Sequence, residues 1–462
     1  MGKKTLKKIE EFISILRHIH SQEKGSLELL VKFKKHYKEI SYEERVQFFD
    51  AFVRCFEIHK EDIEEELRLL LSANEKDPIQ WGKYLSRLRG KMESPRIHIL
   101  RNFINIPGGL KFLLDLRADV IATQGQTSLD LEALERDIAH LFNSWFKQGF
   151  LSLQEITQNS PYRQVQFLKD HDLVHPMAKL EEMGGRLGND RRCFALYHLA
   201  MPEEPVVFIE VALTKGIARS IQEIIQNHNE PLHREKLPDT AIFYSINNTQ
   251  NGLEGLGLGK IIIFQVLDIL RKDHPGIKTF STLSPIPGFW EQYLKRILEG
   301  DDSSFTMKRA QLVNFFPREV QNSVIDHYSQ VTGRNVSDFF AVFLEILSNP
   351  QWIEDKDYTR LIEKPLTEIT YFYICKEKDR RGKPRDAVAR FHLGNGAIVT
   401  MKNINFDANR SSRGLIDSCG IMINYIYSKN WFQQISVAVR SRISLRPKEN
   451  AVNSKELKNQ TN

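Results

Sequence analysis

Phe280-Ser281-Thr282-Leu283-Ser284-Pro285-Ile286-Pro287-Gly288-Phe289 decides how this chain is read, together with the run that precedes it, Gln250-Asn251-Gly252-Leu253-Glu254-Gly255-Leu256-Gly257-Leu258-Gly259-Lys260. Residues 241–246 have the β-rich character of a strand leading into the glycine run, and the apolar stretch from Ile261 to about Leu270 reads as a helix. The order strand, glycine loop, helix, strand belongs to an α/β or α+β sheet. A glycine loop at a helix start offers bare backbone N–H groups and a positive dipole end, which suits a phosphate or pyrophosphate. The next strand then delivers a hydroxyl, Ser284, with Pro285 and Pro287 fixing the backbone beyond it. The combination points to a phosphate-bearing substrate with chemistry at its far end.

Upstream of the loop, residues 206–213 form another β-rich run opened by Glu204-Pro205, and a helix is expected over 217–227. Downstream, 309–347 reads as helical, followed by three strand candidates at 369–375, 387–393 and 397–401. From Leu6 to about Phe146 the pattern is almost entirely helical: Ile9, Phe12, Ile13 and Leu16 recur at three- and four-residue spacing, as do Phe48, Phe49, Phe52 and Phe56. The expected fold class is α + α/β, with an N-terminal all-helical domain (1–146), a mixed-sheet domain (147–446) and a polar tail (447–462) read as disordered.

The 462 residues are 41% apolar and 27% charged, an ordinary globular composition with ample core material. Sixty-five Lys and Arg against 59 Asp and Glu leave only +6 over the whole length. Nucleic-acid binding would need a clustered basic face, so none is expected. Cys55, Cys193, Cys375 and Cys419 are scattered without a CxxC pair, which indicates neither zinc module nor disulfide framework and favours a reducing compartment. There is no run of 18 apolar residues, no secretory stretch and no peroxisomal tripeptide at Asn459-Gln460-Thr461-Asn462, and Leu6 replaces the Ser/Thr of a myristoylation signal. The expected location is cytoplasmic, with no membrane partner.

The glycine run is not a Walker A motif, which would need Gly where Glu254 stands and Ser/Thr where Ile261 stands. Nor is it GxGxxG, since the glycines fall at 252, 255, 257 and 259. It reads either as a flexible turn whose small residues serve helix–sheet packing or as a phosphate cradle, and its spacing resembles the acyl-CoA loop of the GNAT acetyltransferase fold. Lys260 could add charge at a phosphate or be simply solvated. Ser284 competes with Ser281, and neither GxSxG nor SxxK surrounds it. His392, in a stretch read as a strand, shares a face with Val388 and Arg390 by alternation, or is a satisfied structural histidine. His171 and His175 have the i,i+4 spacing of helical ligands but no third ligand nearby, so no metal site is expected.

Gly252 to Phe289, Phe391-His392-Leu393-Gly394-Asn395-Gly396-Ala397 and Ser418-Cys419-Gly420-Ile421-Met422-Ile423-Asn424-Tyr425 together resemble malonyl-CoA decarboxylases. Residues 205–213, Arg191-Arg192-Cys193 and, in the helical half, Gly109-Leu110-Lys111-Phe112-Leu113-Leu114-Asp115-Leu116-Arg117-Ala118-Asp119 fit the same family. The resemblance implies an N-terminal helical domain serving assembly into a homo-oligomer, dimer or tetramer, and a GNAT-like catalytic domain. It implies conversion of malonyl-CoA to acetyl-CoA and CO2, with Ser284 as the proton acceptor and His392 as the proton donor. Glu254, Gly255, Leu256, Gly257, Leu258, Gly259 and Lys260 fall where the family binds the CoA substrate, and Tyr427 and Arg413 are further candidates. Two positions depart from the family: Gly257, where relatives often carry a glutamate, and Tyr162, where a cysteine is expected.

Decarboxylation of this substrate calls for no separate cofactor, because the thioester carbonyl is itself the electron sink and the protein must stabilise an oxyanion and protonate carbon. An ordinary histidine pKa of about 6.5 would let His392 act as the acid. The alternatives are a GNAT-type acyltransferase, which needs an acceptor and releases free CoA, and a non-catalytic acyl-CoA sensor or scaffold.

Overall fold

The computed structural model describes residues 3–21, 27–73, 77–124, 131–188, 190–225, 237–379 and 382–427. The chain resolves into two compact units that do not follow the sequence in one cut: residues 1–211, 228–231 and 245–273 make up the first, and 212–227, 232–244 and 274–462 the second.

The first unit begins with the expected helices. Ser41 caps the helix Tyr42–Cys55 by accepting from the Glu44 N–H while the Glu44 carboxylate accepts from the Ser41 N–H, so two orphan donors are satisfied reciprocally. That helix puts Phe48, Phe49 and Phe52 into a cluster with Phe12, Phe33 and Tyr37, in which Phe12 and Phe33 meet edge to face at 5.0 Å. Helix α1 (Gly109–Thr123) is buried over most of its surface through Leu110, Phe112, Leu113, Leu114, Leu116 and Val120. It starts where Gly108 takes a left-handed φ of 64°.

Strands β1 (Leu151–Ile156) and β2 (Arg191–His198) pair antiparallel from Leu151 opposite His198 to Ile156 opposite Cys193. Strand β3 (Met201–Thr214) follows β2, buried throughout from Pro205 onward as its apolar run demands. Ile156, Leu168, Met183, Cys193, Ala195, Tyr197 and Phe208 make the core on this side. The far end of β4 (Thr240–Asn248) then enters the glycine loop, and helix α2 (Leu258–Asp273) follows it.

In the second unit the near end of β4 runs parallel to β5 (Thr279–Thr282), with Thr240 opposite Thr279 and Phe243 opposite Thr282. Helix α3 (Ala387–Gly394) precedes strand β6 (Ala397–Ile398), and a separate ribbon pairs β7 (Ile404–Asn405) with β8 (Met422–Ile423). Helix α4 (Ser412–Ser418) lies between those two strands in the chain. Strand β9 (Ile426–Tyr427) pairs antiparallel with both β5 and β6. Ala212, Ile221, Ile242, Tyr244, Leu283, Ala408 and Met422 form the core beneath.

The helical beginning and the mixed sheet agree with the expected fold class. Two strand expectations do not hold. Residues 369–375 finish a long helix, Lys356–Cys375, whose Ile362, Leu366, Ile369, Tyr373 and Ile374 are buried at helical spacing. Residues 387–393 are helix α3, started by an Asp386 cap that alternation alone ignores. The third candidate shrinks to β6 followed by a tight turn at Met401–Asn403. The expected helix over 217–227 is described as Ile221–Ile225, and the tail after 446 lies outside the described residues.

Candidate active site

Ser284 sits two residues past the end of β5 and is held by main-chain bonds on both sides. Leu283 N–H donates to the Phe243 carbonyl at 3.1 Å, Ser284 N–H to the Ile423 carbonyl at 2.8 Å, and Ile423 N–H returns to the Ser284 carbonyl at 2.9 Å. The two prolines cannot continue the ladder, and Gly288 turns the chain with a φ of 75°. Ser284 Oγ, almost wholly buried, lies 2.9 Å from Thr282 Oγ1 and 3.4 Å from His392 Nε2.

His392 comes from the last turn of α3. Asp386 starts that helix by accepting the Ala389 N–H at 2.6 Å. The imidazole stacks on Tyr425, ring centroids 4.5 Å apart at 24°, and its Nδ1 lies 2.7 Å from the Tyr427 hydroxyl. Ser284 and Thr282 are both hydroxyls, so either can donate across their contact, and the tautomer of His392 decides whether Nε2 donates to Ser284 or accepts from it. With the hydrogen on Nε2, Nδ1 is bare and accepts from Tyr427. In that tautomer the donors can run in one direction, Tyr427 to His392, His392 to Ser284 and Ser284 to Thr282.

Burial in apolar surroundings pushes His392 down to about 3, so the free site holds a neutral imidazole at neutral pH. The expectation of an ordinary histidine pKa is therefore corrected: desolvation of the buried side chain lowers it. Burial also raises the Tyr427 hydroxyl well above its usual range, so it keeps its hydrogen. The strand argument that set Arg390 beside His392 fails too. On a helix, residues two apart point to different sides, and Arg390 is exposed, donating to the carbonyls of Pro384 and Arg385.

Ser284, His392 and Tyr427 are thus brought together. Arg413 lies on α4, exposed, with its Nε donating to Asp417 at 3.2 Å. The glycine loop belongs to the first unit. Gly255 and Gly257 take φ of 75° and 72°, and no atom lies within 4 Å of where a Cβ would stand on either, so the outer face of the loop is open. Glu254 and Lys260 are exposed, Leu256 and Gly259 half-buried, and Leu258 is buried at the start of α2. Sequence reasoning missed Thr282 and Asp386. Thr282 shares a strand face with Ser284 by the two-residue period, and Asp386 stands at a cap position; both signals were present.

Two family models match the chain. The malonyl-CoA decarboxylase C-terminal domain matches residues 149–438, and the malonyl-CoA decarboxylase N-terminal domain matches residues 56–146. The mitochondrial malonyl-CoA decarboxylase of Anser anser anser is 34% identical over 340 residues, covering 72% of this chain and 64% of that protein. The Mus musculus counterpart is 35% identical over 340 residues, covering 72% and 65%. The chain therefore spans slightly under two thirds of the length of these relatives. Among solved structures, malonyl-CoA decarboxylases from Rhodopseudomonas palustris and Agrobacterium vitis each superpose with a TM-score of 0.72 at 28% identity, covering 94% of this chain and 96% of theirs.

Proposed function

This chain belongs to the malonyl-CoA decarboxylase family, and from that premise we infer that it converts malonyl-CoA to acetyl-CoA and CO2. The observation that carries the reading is the buried array Tyr427–His392–Ser284–Thr282, in which each side chain lies within hydrogen-bonding distance of the next and protons can be handled out of water. With the imidazole hydrogen on Nε2, Ser284 receives it from His392, the reverse of a serine primed for attack on a carbonyl.

Loss of CO2 leaves the bond's electron pair on the thioester as an enolate, and one proton to carbon completes acetyl-CoA. Donors fixed in advance stabilise the enolate oxygen, an effect worth roughly 100- to 1000-fold per donor. His392 is the proton source. A neutral imidazole is a weak acid, but the malonyl carboxylate brings a negative charge into a dry site, and an opposite charge favours imidazolium. Substrate binding thus raises the pKa that burial had lowered, and the proton taken up with the substrate goes to carbon once CO2 has left. Tyr427 holds the ring in place through Nδ1. The chemistry needs no separate cofactor. The glycine loop is assigned to the CoA phosphates, because its outer face is open at Gly255 and Gly257 and it leads into the N-terminus of α2.

We read the protein as a cytoplasmic homo-oligomer, following the family resemblance and the four free cysteines. No described helix is long and apolar enough to cross a membrane. Incubating the purified protein with malonyl-CoA alone tests the function: acetyl-CoA and CO2 should appear in equal amounts with no acceptor present. Free CoA released only when an amine or carrier protein is added would establish an acyltransferase instead, and binding without turnover a sensor.

A further inference from the structure

Helix α1 touches the glycine loop through one side chain that sequence reasoning assigned no role. Arg117 is 4% exposed, and its Nη1 donates to the carbonyls of Gly252 at 2.5 Å and Glu254 at 2.7 Å. Its Nε and Nη2 donate to Glu135 Oε1 at 3.1 and 2.5 Å. All three partners lie in the same compact unit as Arg117. The guanidinium is a rigid planar fork with five donors and no acceptor, so one side chain can grip two loop carbonyls while a carboxylate fixes it from behind.

The loop is built to be gripped there. Gly252 is buried, and a Cβ on it would collide with the Leu114 carbonyl, one turn before Arg117 on α1. Loop and helix are therefore packed main chain to main chain, which only glycine permits. Three residues on, the character reverses: Gly255 and Gly257 face open space. A trans peptide is planar, so a carbonyl and the N–H that follows it point in opposite directions. With the Glu254 carbonyl drawn inward onto Arg117, the Gly255 N–H is turned outward, to the open side of the loop.

We propose that Arg117 is a positioning residue for the CoA pyrophosphate: by holding the Gly252 and Glu254 carbonyls it sets the loop, with the Gly255 N–H turned outward, before the ligand arrives. This rests on the assignment of the loop to the CoA phosphates. Glu135 is part of the same device, fixing the fork so that Nη1 is presented to the loop. Arg117 acts through the main chain: four of its five N–H donors are engaged by the two carbonyls and Glu135, and the Glu135 carboxylate pairs its charge.

The test compares two substrates and one binding measurement. In Arg117→Ala, Kd for CoA by calorimetry and KM for malonyl-CoA should rise together by about tenfold or more, the scale of one or two lost hydrogen bonds, with kcat within about threefold. Malonyl-pantetheine has no pyrophosphate, so its kcat/KM should be unchanged. Guanidinium ion in the buffer should restore part of the CoA affinity. Arg117→Lys, which keeps the charge but cannot bridge two carbonyls and a carboxylate, covers the case in which the alanine variant fails to fold, and it should show the same split. A folded variant of either kind with wild-type CoA affinity overturns the proposal, as does an equal loss on malonyl-pantetheine. Absence of decarboxylation in the wild-type protein would count against the proposed function alone, since the CoA affinities still judge Arg117.

Discussion

The Tyr427 hydroxyl lies 2.7 Å from His392 Nδ1, and when it donates there the imidazole hydrogen is left on Nε2, facing Ser284. Removing the hydroxyl leaves Nδ1 without its donor and frees the ring to adopt the other tautomer, in which Nε2 has no proton to give. Tyr427→Phe should therefore lower kcat by about tenfold or more while leaving KM for malonyl-CoA within about twofold. Steady-state kinetics check this, and an unchanged kcat would remove Tyr427 from the mechanism.

His392→Ala should lower kcat by about 100-fold to 10,000-fold, the range for a positioned acid, with a much smaller change in KM. Ser284→Ala should also act on kcat, since the serine hydroxyl lies 3.4 Å from His392 Nε2. Because the two residues act as one array, the double variant should be scarcely slower than the worse single one. Additive losses would show that they work separately.

The neutral state of His392 has its own consequence. Its folded pKa, about 3, lies below the unfolded value of about 6.5, so the unfolded chain binds the extra proton first as pH falls. The stability that goes with the neutral ring is fully present above about 6.5 and is lost as pH falls from there toward 3. The difference in Tm between wild type and His392→Gln should shrink steadily between pH 7 and pH 4.5. In the free enzyme the ring's NMR signals should remain those of neutral imidazole throughout that range, and should move toward imidazolium when an anionic acyl-CoA analogue binds.

Gly257 stands at φ 72°, where an L side chain is strained by about 1 kcal/mol even though the space around it is open. Gly257→Val should cost little more than that in stability and act chiefly on KM, because the added side chain occupies the face from which phosphate approaches. Calorimetric CoA binding and malonyl-CoA kinetics should weaken in step.

How much of this was legible beforehand depends on the range of the contact. Ser284 and the loop were legible because their signals are local: glycine spacing, prolines, and a strand–helix–strand rhythm. His392 was found through its motif but placed on the wrong element, since Ala-Val-Ala-Arg-Phe-His-Leu alternates as a strand would. What overrode alternation was a single cap, Asp386, whose carboxylate satisfies a main-chain donor at the helix start. The low pKa of His392 could not be read from sequence at all, because it comes from burial among residues far along the chain, such as Tyr425 stacked on the ring. The Arg117 contact spans 135 residues and ends on main-chain carbonyls, which have no sequence signature.

Asp386 gives a test of that cap with the opposite pH sign. The carboxyl is 3% exposed, and burial raises it to about 6 despite the main-chain donors of Ala389 and Val388, which favour the charged form. Its folded pKa lies above the unfolded value, so its contribution to stability is fully present below about 4 and is lost as pH rises through 6. At pH 7.5 the wild-type protein holds a buried carboxylate at a cost on the order of 3 kcal/mol relative to the protonated form, two pKa units at 1.36 kcal/mol each. Asp386→Asn keeps a side-chain oxygen for the Ala389 N–H, caps nearly as well, and never ionises. The Tm of Asp386→Asn relative to wild type should therefore climb as pH is raised from 5 to 7.5, whatever its value at pH 5. Asp386→Ala removes the cap, so at pH 5 it should lose about 1 kcal/mol in stability and, by loosening the turn that carries His392, lower kcat more than KM. A difference between the Asn variant and wild type that stays flat with pH would mean the carboxyl is ordinary and α3 owes its start to something else.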